Sequence, residues 1–202
     1  VNHKHLVDPL VPNNKVRTEH ANKVNIVHKR LLIHMPRRFL AVIDILSSED
    51  EHEYTQWFHL DPNLDLRNFS SSIAEVLDSK GGLHSTIHHV SNSESTSKIT
   101  LISGQTEPRI QGFHSINGLD LVENHCIGIS NKSSDCALCT VFDLKGGYTK
   151  PYLNVNSNGK YIRFAMTGSD NKFNIIIRRH SDGDMVIECD KENGEFEHLF
   201  RN

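Results

Sequence analysis

The sequence predicts an all-β protein, an antiparallel β-sandwich with at most one short helix. Two observations predict it. Short runs of Val, Ile, Leu and Phe recur at a spacing of about 10–14 residues, separated by polar turns such as SNKSSD, NVNSNG and SDGD. Between them lies no long amphipathic stretch of helical period of the kind a βαβ crossover needs.

Residues 1–23 are polar, carry Pro9, Pro12 and the pair Asn13 and Asn14, and predict a loop or an edge strand. Residues 24–202 then predict one β-sandwich domain, a size that buries roughly two-thirds of the unfolded surface without a metal or disulfide staple. VNIVHKRLLIH (24–34) is β-branched and aliphatic, and Pro36 with Arg37 and Arg38 marks a turn. RFLAVIDIL (38–46) is almost continuously apolar, as expected of a strand covered on both faces. SSEDEHE (47–53) predicts a charged turn and EYTQWFHL (53–60) a third strand, so that the three form a meander. NFSSSIAEVLDSKGG (68–82) fits a short helical turn or a weak strand. LHSTIHHV, KITLIS, ENHCIGIS, CALCTVFDL, YIRFAMTG, KFNIIIRR and DMVIECD complete the set of strands. GQTEPRIQGFHSINGLD (104–120) is a Gly- and Pro-punctuated loop whose length points to function or irregular packing.

Composition excludes several classes. A net charge of −3 without a clustered basic face argues against nucleic acid as a partner. No run approaches the ~18 apolar residues of a membrane helix, and no signal peptide is visible. The chain opens mid-pattern on VNHKHLVDP, which predicts a fragment of a longer protein. Several of the 14 histidines sit singly in turns, and most read as polar surface residues.

Cys136 and Cys139 form a C-x-x-C, but no second pair or ligand-spaced histidine follows, so no metal site is expected. A redox pair would want a strand-to-helix setting, so both cysteines read as small buried residues. No nucleophile elbow, phosphate loop or dinucleotide fingerprint occurs, and no cofactor is implied. His28 and Asp44 fall on adjacent strands with no nucleophile between them.

Four residues are candidates for contact with a sugar. Along 56–59, Gln56 and Phe58 point to one face and Trp57 and His59 to the other. An aromatic ring stacks on the C–H face of a pyranose while a polar neighbour holds its hydroxyls. The competing reading is a core Trp57 with His59 hydrogen-bonded beneath it. In the 104–115 loop, Arg109 could pair with a uronate or sulfate, with His114 nearby, or Arg109 could simply pair with Glu107 or stay solvated. Arg17, His20, His28 and Arg30 form a further basic patch, and Arg178 with Arg179 and His180 another, which reads as a solvated strand edge that discourages edge-to-edge pairing.

Three stretches in order resemble the C-terminal β-domain of the heparinase II/III-like polysaccharide lyases. The first is VHKRLLIHMPRRFLAVIDIL, with His28, Arg30, Pro36 and Asp44 at the matching positions. The second is HEYTQWFHLDPNL, through Tyr54, Gln56, Phe58 and His59. The third is GQTEPRIQGFHS followed by TVF at 140–142. The resemblance covers residues 24–145 and implies a supersandwich-like β-sandwich that packs against an α/α toroid of the same parent chain. Such parents act on acidic polysaccharides by β-elimination, in bacterial capsule or cell-surface metabolism, with a periplasmic or secreted location favoured over a cytoplasmic one. The family's β-domain contributes catalytic and metal-binding groups through a His-x-His-x-Asp and a His-Asn-Thr segment. Neither occurs here: Val7 follows His3 and His5 where Asp belongs, and RTEHAN (17–22) matches only loosely. The resemblance therefore implies a domain that is inactive alone, with no catalytic residue carried over. The alternatives are a stand-alone carbohydrate-binding or a structural β-sandwich. An exposed Trp57 in a groove would favour binding; a buried one beside an apolar patch would favour docking to a partner domain.

Overall fold

The computed structural model describes residues 25–202 apart from 71, 93–96, 119, 145–146, 149–150, 157–159, 169–171, 180–184, 192–193 and 201–202. The predictions made for 1–23, including His3, His5, Arg17 and His20, lie outside the described residues. Those described form fourteen antiparallel strands and no helix, an antiparallel β-sandwich.

The larger sheet is built around two long strands, β2 (Phe39–His59) and β9 (Cys126–Asp143). They pair antiparallel over nearly their whole length, with a register shift between Ser47 and His52. β1 (Ile26–Met35) pairs with the first half of β2 through a tight turn, where Arg37 takes a left-handed φ of 60°. On the other side of β9, its second half pairs with β5 (Leu83–Ser91) and its first half with β6 (Lys98–Ile102). β4 (Ile73–Leu77) and β3 (Asp65–Arg67) extend the sheet beyond β5.

The β2–β9 ribbon folds back on itself at the register shift. Gln56 and Asp44 are 12 residues apart on one strand, a separation of about 40 Å if it ran straight. Yet Gln56 Nε2 donates to Asp44 Oδ2 over 2.8 Å. The second half of the ribbon therefore lies across the first. Ile127, Ile129, Phe58 and Leu60 pack there against Ala74, Val76 and Ile87 of β4 and β5.

The second sheet is a meander of β10 (Tyr152–Val155), β11 (Tyr161–Thr167), β12 (Lys172–Arg179), β13 (Met185–Lys191) and β14 (Gly194–Phe200). Phe39, Ala41 and Ile43 of β2 and Ala137, Cys139 and Val141 of β9 pack on Leu153, Ile162, Phe164, Phe173 and Ile175 of this sheet. Phe39, wholly buried, touches the rings of Tyr148, Phe164 and Phe173. The first half of β2 is thus a middle layer, which explains its nearly continuous apolar sequence.

Two expectations need correction. Residues 38–46 and 53–60 are halves of one strand rather than neighbours in a meander, and ENHCIGIS and CALCTVFDL are likewise halves of β9. SSEDEHE and SNKSSD lack the Gly, Pro or Asn-Gly that closes a hairpin. Because the two bends face each other across the ladder, pairing resumes at His52 with Ser133, and both strands bend without reversing. Arg178 is also not at a sheet edge: β12 lies between β11 and β13, and Arg178 pairs with Glu188, while His180 lies outside the described residues. The ambiguous 68–82 stretch resolves as strand β4.

Candidate functional site

The three stretches singled out in the sequence meet in one polar network. Asp44 is 2% exposed. Its carboxylate accepts Arg30 Nε and Nη2, each at 2.7 Å, and lies 2.8 Å from His28 Nε2. Gln56 Nε2 donates to the same carboxylate, and Thr140 Oγ1 donates to Gln56 Oε1 over 2.8 Å. His89 continues the chain, with Nδ1 3.4 Å from Thr140 Oγ1 and Nε2 3.1 Å from Ser97 Oγ. Burial alone would push the Asp44 carboxyl up. The hydrogen bonds from Arg30, His28 and Gln56, with the Arg30 charge, outweigh it and hold the group below the usual carboxylate range. The network's two hydroxyls, on Thr140 and Ser97, are hydrogen-bonded within it. It fixes the fold-back of the β2–β9 ribbon.

On the outer side of the same ribbon, Trp57 and His59 stand together as the alternation predicts. Trp57 is 42% exposed, so the core reading of this residue does not hold. It lies opposite Gly128 on β9. A Cβ on Gly128 would sit 2.4 Å from Trp57 Cζ3 and 2.6 Å from Cη2. The indole therefore lies over the glycine backbone, and only glycine allows that approach.

His59 Nε2 is 3.3 Å from the buried Cys126 Sγ, and Gln111 Nε2 donates to the same sulfur over 3.6 Å. With Gln111 as donor to sulfur, the thiol proton can go to His59 Nε2, which places the ring proton on Nδ1. A Cys–His pair suggests nucleophilic chemistry, but here burial raises the Cys126 thiol despite the Gln111 contact. The thiol is thus neutral and packed. Sequence reasoning missed this pair because the partners are 67 residues apart and meet only through the β2–β9 register.

The 104–115 loop is a closed hairpin. Gln105 and Gln111 exchange backbone hydrogen bonds of 2.9 Å, and Gly104 N donates to Gly112 O. Arg109 sits near the tip with its side chain exposed and without an ion pair to Glu107; its carbonyl accepts Gln105 Nε2. His114 lies on β7 (Phe113–Ser115), which pairs with β8 (Leu121–Glu123). The Asp61 carboxyl is held low mainly by hydrogen bonds from Asn63, with His114 adding a favourable charge. The structure thus brings Trp57 and His59 together and ties His59 to the loop stem through Cys126 and Gln111. It shows no hydrogen bond or ion pair from Arg109 or His114 to either of them.

Cys136 and Cys139, three positions apart on one strand, point to opposite faces. Cys136 packs with Leu46, Tyr54 and Leu138, and Cys139 faces the second sheet. Burial, with smaller effects from Asp135 and Asp44, pushes the Cys136 thiol up to about 11; burial raises Cys139 further. Among the described residues no group of three or more His, Cys, Asp and Glu side chains could hold a metal ion. No described helix is long and apolar enough to cross a membrane.

An open cleft of about 360 Å³ lies between residues 62–65 and 77–81. Asp65 and His125 line it, 3.1 Å apart, and Asp78 there accepts the backbone N–H groups of Lys80 and Gly82. Its acids fall in separate turns of the sequence, so no local pattern announces it.

No protein-family model matches the chain, and no curated protein is significantly similar to it.

Proposed function

We propose that this chain is the C-terminal β-sandwich of a heparinase II/III-like polysaccharide lyase, shaping one wall of a cleft for acidic polysaccharide rather than supplying the base of the β-elimination. One observation carries the reading. His28, Arg30 and Asp44 of the first family-like stretch, Gln56 of the second and Thr140 of the third close into a single hydrogen-bonded network. Residue types that resemble a family pattern at scattered positions are here one physical unit. Elimination needs a base beside the C5 proton and a cationic clamp on the carboxylate. The one arginine of the network is not free to act as that clamp, because it is already committed to Asp44.

In the parent, an α/α toroid would pack against the domain and carry the chemistry. A second reading, a carbohydrate-binding module that works without a toroid, is favoured by the exposure of Trp57. Both readings predict that the purified chain produces no unsaturated-uronate absorbance from heparan sulfate, alginate or hyaluronan. Turnover by the chain alone, abolished by His59→Ala, would overturn both. The coding sequence upstream separates them: a long helical repeat there supports the lyase domain, and its absence supports the module.

A further inference from the structure

The outer face around Trp57 is laid out in three cross-strand rows. Thr55, Ser130 and Lys98 form the first; Trp57, Gly128 and Thr100 the second; His59, Cys126 and Ile102 the third. Directly opposed residues in an antiparallel ladder project to the same side, so these nine positions share one side of the sheet; Ser130, Gly128 and Cys126 of the middle strand are buried there, and the flanking residues of β2 and β6 form the surface.

Its centre is flat and aromatic. The missing side chain at Gly128 lets the indole lie across the middle strand, with its other side open to solvent. Around the ring are two threonine hydroxyls, one imidazole and one ammonium. No carboxylate belongs to the three rows. Lys98 is exposed, and among the described residues no acid lies within ion-pair distance of it. The next acid along this side of β2, Glu53, stands opposite Lys132, which pairs with Glu51 over 2.8 Å.

Neighbouring strands are about 4.8 Å apart and same-face residues on one strand about 6.8 Å. From there a lysine side chain brings its ammonium to within roughly one pyranose width of the indole edge. We propose that this face is a subsite for a single uronic-acid or sulfated pyranose residue, its C–H face stacked on Trp57 and its acid group paired with Lys98. Thr55 and Thr100 are placed to exchange hydrogen bonds with ring hydroxyls, and His59 closes the far end. The subsite rests on the polysaccharide-binding reading above and narrows it to an acidic sugar and to one face. Single-stranded nucleic acid, the other polymer that stacks on aromatics, needs successive rings and a basic track. This chain has one tryptophan and a net charge of −3.

Because Trp57 is the sole tryptophan, its emission reports occupancy directly. The test titrates the described chain at low salt with an alginate tetrasaccharide and with its carboxyl-reduced counterpart. The acidic sugar should give a saturable emission change and bind about 10-fold more tightly than the reduced one, the worth of one charge-assisted contact at a wet surface. Lys98→Ala should erase that difference by weakening only the acidic sugar. Trp57→Ala, followed by calorimetry, should abolish binding of both, with circular dichroism checking that each variant folds. Equal affinity for the two sugars, no effect of Lys98→Ala, or tighter binding of oligo-dT each overturns the subsite. If heparan sulfate still retards the chain in a gel while Lys98→Ala and Trp57→Ala change nothing, the subsite is wrong and the broader reading stands. If no acidic polysaccharide retards the chain, the broader reading itself fails.

Discussion

Arg30 on β1 and Asp44 on β2 are joined by two parallel hydrogen bonds of 2.7 Å, Nε to Oδ1 and Nη2 to Oδ2. The arginine side chain is half in water and the aspartate is almost wholly out of it. Removing the arginine would leave a buried carboxylate with His28 and Gln56 alone. Since Arg30 is partly solvated, the loss should fall at the low end for a broken buried pair, about 3 kcal/mol for Arg30→Ala. Arg30→Lys should recover only part, because an ammonium cannot reproduce the fork. Urea unfolding of the two variants beside the parent chain checks both, and equal stability of Arg30→Ala and the parent would rule the pairing out as a stabilising contact.

Acid should destabilise the fold in two stages. His88 is buried, which lowers its pKa; the nearby Asp143 opposes this only in part. A group depressed in the folded state stabilises above its unfolded value, about 6.5 for histidine, and that contribution declines as pH falls toward the folded one. Asp44, held low against its burial by Arg30, His28 and Gln56, stabilises above about pH 4 and loses its contribution as pH falls through its folded value. Urea midpoints measured across this range should therefore show two declines. His88→Leu should flatten the first and leave the second; Asp44→Asn should do the reverse at the cost of lower stability throughout.

Phe39 joins the two sheets through ring contacts to Phe164 and Phe173, also meets Tyr148 outside the strands, and has no exposed surface. Phe39→Ala should destabilise by about 3–5 kcal/mol, the range for an aromatic truncated in a core. One cooperative thermal transition at a lower midpoint is expected. An unchanged midpoint would show that the second sheet does not pack on β2.

Cys126, Cys136 and Cys139 are buried and their thiols are raised. In a Cys189→Ser background, an aromatic disulfide reagent should find no fast-reacting thiol in the native protein and three after unfolding in urea. Oxidation before the assay should not change the count, since Cys136 and Cys139 point to opposite faces. A native C-x-x-C disulfide would contradict that geometry.

Much of the fold was legible because it rests on period and composition. The two-sided burial of 38–46, the β1–β2 pairing, and the split of Gln56 and Phe58 from Trp57 and His59 all follow from alternation along a strand. The fold-back at Ser47–His52 was not legible. A polar run that bends a strand looks like one that ends it unless the partner strand is known, and the partner lies about 80 residues away. For the same reason the meeting of Asp44 with Gln56 and Thr140, and of His59 with Cys126, could not be read locally. The exposure of Trp57 turned on Gly128, whose role as the floor beneath an indole is visible only through the register.

The proposed role of this β-sandwich is to hold acidic polysaccharide without cleaving it. Affinity electrophoresis through gels containing heparan sulfate, alginate or neutral dextran tests it most directly. Retardation is expected in at least one acidic gel, none in dextran, and release by moderate salt, since the proposed contact is a screened surface charge. Equal mobility in all of the gels would contradict it.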